Sequence, residues 1–115
     1  MNFIVIENWK ATYTDPIRLA AGESIYLTGR QDNWDGHIWL WARSANGLEG
    51  WIPDGLVCQG EGGPFAKEEY TAIELTCQMG QVLVGEKETH GWVYCRSAAG
   101  SAGWVPRKNL ALAVA

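Results

Sequence analysis

Helical periodicity is missing from this chain of 115 residues. No stretch repeats apolar residues at three- and four-residue spacing, which excludes a helical bundle and any phosphate cradle built on a helix N-terminus. Basic clusters are missing as well: no four consecutive Lys or Arg residues occur, and the formal net charge is −4. A binder of nucleic-acid backbone needs a concentrated cationic surface, and so does a protein that lies on an anionic membrane. Neither partner is expected. No apolar run approaches the roughly 18 residues needed to span a bilayer. The apolar run at the start, Phe3 to Ile6, has four residues, no basic lead and Glu7 behind it. It does not read as an export signal, so the chain, taken as complete, is expected in the cytoplasm.

Cysteine and histidine are sparse. Cys58, Cys77 and Cys95 are odd in number and show no CxxC spacing, so they do not form a disulfide framework. With only His37 and His90 to accompany them, no metal site and no cofactor is expected. A catalytic nucleophile needs a base within reach, and His37 and His90, each two residues ahead of a tryptophan, read as loop positions. Glu68 and Glu69, as neighbours in an extended segment, point to opposite faces. The expectation is a protein that binds and does not catalyse.

What the chain does have is tryptophan, seven of them, within a hydrophobic content of 47%. It also repeats itself. Trp39 to Pro53 reads WLWARSANGLEGWIP and Trp92 to Pro106 reads WVYCRSAAGSAGWVP, identical at 8 of 15 positions without a gap. Upstream, Ile17 to Glu23 faces Leu75 to Gln81, and Tyr13-Thr14 faces Tyr70-Thr71. Between the shared Gly and the shared Trp lie 16 residues in the first copy and 11 in the second. The difference falls in the polar stretch Gln31 to Gly36, which is expected to be a longer surface loop. A Gly-rich break at Gln59 to Pro64 sets the expected domains at 1–58 and 64–115.

Each copy reads as short strands. Leu40, Ala42 and Ser44 alternate with Trp39, Trp41 and Arg43, and Val93, Cys95 and Ser97 alternate with Trp92, Tyr94 and Arg96. Ala45-Asn46-Gly47 and Ala98-Ala99-Gly100 supply hairpin turns, and Trp51-Ile52-Pro53 ends a strand at a residue that cannot donate to a ladder. Ser24 to Leu27 and Gln81 to Val84 form a further strand in each copy. Five short strands joined by hairpins in about 50 residues close best as a small barrel.

The order of these motifs resembles the Src-homology 3 (SH3) family over nearly the whole chain, twice. Ala11-Thr12-Tyr13, Ile17-x-Leu19-x-x-Gly22-Glu23 and Gly50-Trp51-Ile52-Pro53 stand where the family has its Ala-x-Tyr strand, its Leu-x-Phe-x-x-Gly-Glu turn and its Gly-Tyr-Ile-Pro strand. Tyr70, Leu75-x-Cys77-x-x-Gly80 and Gly103-Trp104-Val105-Pro106 repeat the series. The resemblance implies an all-β chain of two five-stranded SH3-like barrels, Cys77 and Cys95 within the second core, and a groove of stacked aromatics that takes an extended peptide. Carried over, that groove is Tyr13, Trp39, Trp51 and Pro53 in the first copy, and Tyr70, Trp92, Trp104 and Pro106 in the second. The family's second loop tyrosine is replaced by Asp15 and Ala72, and its final-turn tyrosine by Leu56 and Asn109. Trp34, and Asp15, Asp32 and Asp35 with their negative charge, flank the first groove, with Asp15 and Trp34 counted among its contacts. The implied partner is a protein or peptide segment. The alternatives are a structural role in which the aromatic faces pack on each other or hold a homodimer, and cell-wall peptide binding of the kind seen in exported bacterial SH3-like domains.

Overall fold

Alternation of small and large side chains produces the central hairpins. The computed structural model describes residues 1–113. In the first copy the strands are β1 (Asn2–Val5), β2 (Arg18–Leu19), β3 (Tyr26–Trp34), β4 (His37–Arg43), β5 (Glu49–Pro53) and, after a 3₁₀ turn at Asp54–Leu56, β6 (Val57–Gly60). The second copy gives β7 (Gly63–Ala66), β8 (Tyr70–Thr71), β9 (Val82–Thr89), β10 (Trp92–Arg96), β11 (Ala102–Pro106), a 3₁₀ turn at Arg107–Asn109, and β12 (Leu110–Leu112). No α-helix occurs among the described residues. The fold is all-β, as the periodicity predicts.

The shared 15-residue motif folds the same way twice. β4 pairs with β5 so that Trp39 faces Pro53 and Trp41 faces Trp51, and β10 pairs with β11 so that Trp92 faces Pro106 and Tyr94 faces Trp104. The expected turns close both hairpins, through Gly47 N–H to Ser44 O and Gly100 N–H to Ser97 O, each at 3.0 Å. Ala42, Val93 and Cys95 are buried, as the alternation requires. Trp39 departs from it and is also buried, at 8% exposure.

The expected polar loop is instead an extension of a hairpin. Asp32, Asn33 and Trp34 pair with Trp39, Ile38 and His37, and the tip is Asp35-Gly36, both at positive φ. His90-Gly91 makes the equivalent tip between β9 and β10. Two-residue turns of this hand match the twist of paired strands, so the extra residues lengthen the ladder rather than loop out.

The Gly-rich break is also a hairpin. Gly60 pairs with Gly63 across Glu61-Gly62, which joins β6, the last strand of the first copy, to β7, the first strand of the second. The compact units therefore differ from the repeats at 1–58 and 64–115. One unit is continuous, Asp15–Ala72; the other is split, Met1–Thr14 together with the chain from Ile73 onward. In the split unit the strand order is β11-β10-β9-β1-β12, with Phe3 facing both Leu83 and Leu112. In the continuous unit β3-β4-β5 form a sheet, and β6-β7 and β2-β8 form ribbons. Each unit thus takes its first-strand segment from the other copy. The split core holds Phe3, Val5, Leu75, Cys77, Leu83, Val93, Cys95, Val105 and Leu110. The continuous core holds Ile17, Leu19, Ile25, Ala42, Ile52, Leu56 and Ala66.

Two glycines set how closely the crossing segments approach. A Cβ on Gly50 would lie 2.9 Å from Ile17 Cγ2, and one on Gly103 would lie 2.6 Å from the backbone of both Glu74 and Leu75. Backbone atoms cannot swing aside as a side chain does. Gly103→Ala should therefore lower stability by about 1–3 kcal/mol, the range for overpacking, read as the urea midpoint. Strand exchange has its own test. With a protease site inserted between Glu61 and Gly62, cleavage should leave the two fragments co-eluting in size-exclusion chromatography. Fragments that separate would contradict the exchange.

Candidate functional site

Antiparallel pairing of the two arms Asn8–Thr12 and Glu74–Gln78 builds an open cleft in the split unit. Trp9 and Cys77 exchange both backbone hydrogen bonds, at 2.9 and 2.8 Å, and Ala11 N–H donates to Thr76 Oγ1 at 3.0 Å. The arms come from different copies, so neither builds the cleft alone. Its volume is about 660 Å³, and Trp9, Lys10, Tyr13, Ile73 and Glu74 are among its lining. Tyr13 and Ile73 are exposed at 37% and 38%, and so offer apolar surface to a ligand.

Glu74 is the half-buried charge of this cleft. Trp9 Nε1 donates to its Oε1 at 3.0 Å, Thr12 N at 3.3 Å and Thr12 Oγ1 at 3.4 Å. Burial pushes its carboxyl above the ordinary value of 4.5, although the Thr12 and Trp9 hydrogen bonds pull the other way. Desolvation wins because a carboxylate in a partly dry site loses more hydration than three donors on one oxygen restore. On its other side Trp9 meets Trp92 edge to face, with centroids 5.3 Å apart and planes at 81°. Asn109, at the family's final-turn tyrosine position, is buried, and its Nδ2 donates to Glu7 O at 3.3 Å and Asn8 O at 3.2 Å. It anchors the arm that carries Trp9.

The structure re-sorts the residues expected to form the grooves. Tyr13 belongs to the split unit, with Trp92, Trp104 and Pro106; Tyr70 belongs to the continuous unit, with Trp39, Trp51 and Pro53. Tyr70 is buried, and its hydroxyl donates to Trp51 O at 3.0 Å. Pro53, Pro106 and Trp104 are buried, while Trp34, Trp51 and Trp92 are half-buried. Trp34 stands at the base of the extended hairpin tip. Asp15 is exposed beside Arg18, with 3.9 Å between Oδ1 and the guanidinium. Cys77 and Cys95 are buried thiols; burial, with Cys77 and then Glu86 adding, pushes Cys95 up to about 11. Cys58 is half-buried, paired with Phe65 in the β6–β7 hairpin.

Trp9 and Glu74 escaped the repeat-based reading because the second arm is where the copies differ: Pro16 stands in the first copy where Glu74 stands in the second. A carboxylate just ahead of Leu75 and a tryptophan outside the repeated motif were the available signals.

Two small all-β units, one of them with an open cleft walled by Trp9 and Tyr13, define a class of non-helical module. The model of the variant SH3 domain matches residues 3–57 and again 65–113, so the chain belongs to that family and carries its domain in tandem. SH3 domains are peptide- and protein-binding modules. No curated protein and no solved structure matches the chain.

A raised carboxyl value carries a pH signature. With Glu74 lifted in the fold, its protonation favours folding: that stabilisation is complete below pH 4.5 and fades as pH rises through the raised value. Glu74→Gln should flatten the fall in urea midpoint over that window. An identical slope in the variant would show that Glu74 is not desolvated.

Proposed function

We propose that the protein is a non-catalytic module that captures an extended peptide segment of a partner protein in the split-unit cleft, with a cationic residue of that segment paired to Glu74. The observation that supports this most directly is the half-buried Glu74 carboxylate in an open cleft walled by Trp9 and exposed Tyr13 and Ile73. An aromatic wall favours a segment that is already extended, because little chain entropy is lost on docking. A partly desolvated carboxylate with donors on one oxygen selects a cation over an anion, since a second negative charge there would have no compensation. Trp92 supports the cleft by holding Trp9 upright.

The continuous unit differs in charge. It carries nine carboxylates and four cationic side chains, net −5, whereas the split unit carries four and five, net +1. The acidic unit steers a basic partner toward the chain, and the cleft then fixes its register.

A peptide array probed with the intact protein tests the proposal. Trp9→Ala and Glu74→Gln should each weaken capture of Lys- or Arg-bearing segments by about tenfold or more, in the range of a hot-spot side chain or a charged hydrogen bond. Trp92→Ala should weaken it less, through loss of the Trp9 brace. If all three variants bind as the native protein does and instead change its oligomeric state, the aromatic surfaces hold a homodimer and the peptide reading fails.

A further inference from the structure

The continuous unit carries a second aromatic corner that the peptide cleft does not use. On one face of β4 and β5, Trp41 stands directly opposite Trp51, and their indoles meet edge to face with centroids 5.0 Å apart and planes at 77°. The Arg30 guanidinium carbon lies 5.0 Å from the centroid of each ring. A delocalised cation over an indole face is held by the ring quadrupole, and two faces at an angle define a corner for one.

Arg30 reaches this corner because of the irregular ladder between Leu27 and Gln31. Gly29 takes a φ of 89°, Thr28 Oγ1 donates to Trp41 O at 3.0 Å, and Arg30 N–H donates back to Thr28 Oγ1 at 3.3 Å. The bulge therefore turns the arginine over the rings. Among the described residues the Arg30 guanidinium has no hydrogen-bond or ion-pair acceptor. Glu49 takes its hydrogen bond from Trp41 Nε1 at 2.8 Å, which fixes the indole rather than the arginine. The equivalent pair in the split unit, Tyr94 and Trp104, has a similar geometry, 5.3 Å and 73°. The nearby arginine there, Arg96, is tied to Glu86 at 3.0 Å instead.

We propose that the Trp41–Trp51 corner is a binding site for the guanidinium of a partner's arginine, and that Arg30 occupies it as a displaceable self-ligand. Arg30 shows the chemistry the corner accepts. It is exposed and held by ring contacts alone, an interaction weak enough at a wet surface to be exchanged. The net charge of −5 on this unit raises the local concentration of a cationic partner. Arg30 thereby sets a threshold: a partner must compete with a tethered cation before it binds.

The test uses the full chain with ¹⁵N-labelled indoles, titrated with N-acetylarginine amide. In Arg30→Ala the Trp41 and Trp51 indole N–H signals should shift saturably, with an apparent affinity about fivefold to tenfold above that of the native protein. Arg30→Gln, which keeps a polar side chain on the bulge, should behave the same way. Equal affinity in native and variant proteins, or no saturable shift in either variant, would overturn the proposal. So would shifts produced in the native protein by N-acetylglutamate amide and lost in the variants, since Arg30 would then be reading an anion. The corner shares no residue with the split-unit cleft, so Trp9→Ala should leave the arginine titration unchanged, and failure of either reading leaves the other standing.

Discussion

Gly60 and Gly63 pair across two residues, and most of the architecture follows from that closure. A hairpin this short orders little chain, so β7 pairs with β6 at once instead of travelling to the far end of its own copy. The β6–β7 ribbon then fills, in the continuous unit, the place a first strand would hold, and β1 is left without a local partner. Phe3 and Val5 find theirs beside Leu83, Leu110 and Leu112, more than 75 residues away in sequence. Long-range antiparallel pairing of this kind is stabilised by burying Phe3, Val5 and Leu83 together, since the ladder hydrogen bonds alone contribute little net free energy.

The same exchange decides where binding chemistry can occur. The arm carrying Trp9 belongs to the first copy, and the arm carrying Glu74 belongs to the second. Mutual hydrogen bonds between Trp9 and Cys77 set them in register, and this puts the indole N–H on the carboxylate. Gly103 lets β11 approach the Glu74–Leu75 backbone, with Trp104 N–H bonded to Ile73 O and Leu75 N–H to Trp104 O. The carboxylate is thus fixed by backbone packing, which explains why it remains partly dry in a cleft otherwise open to solvent.

The two units use their aromatics differently although their hairpins match. In the split unit, Trp92 braces Trp9 from the side, and the nearby charge is a carboxylate. In the continuous unit, Trp39 is buried, Tyr70 is tied to Trp51 O, and the cation on the ring pair is the chain's own Arg30. The longer β3–β4 hairpin, the wider bulge, and Pro16 in place of the carboxylate account for the divergence. Near-identical letters in a repeat therefore do not give equivalent sites.

Legible in the residues alone were the all-β class, both central hairpins with their turns, the membership of the SH3 family, and the burial of Cys77 and Cys95. Each rests on local alternation or on motif order, which neighbouring residues specify among themselves. Tertiary structure alone decided which first strand joins which unit, that Tyr13 and Tyr70 change places, that Gln31 to Gly36 extends a ladder, and that Trp9 meets Glu74. In a repeat, β1 and β7 are near-equivalent partners for the same edges, and local pattern cannot choose between them. Chain connectivity chooses, through the short closure at Glu61-Gly62, and the sites form where that choice brings the arms together.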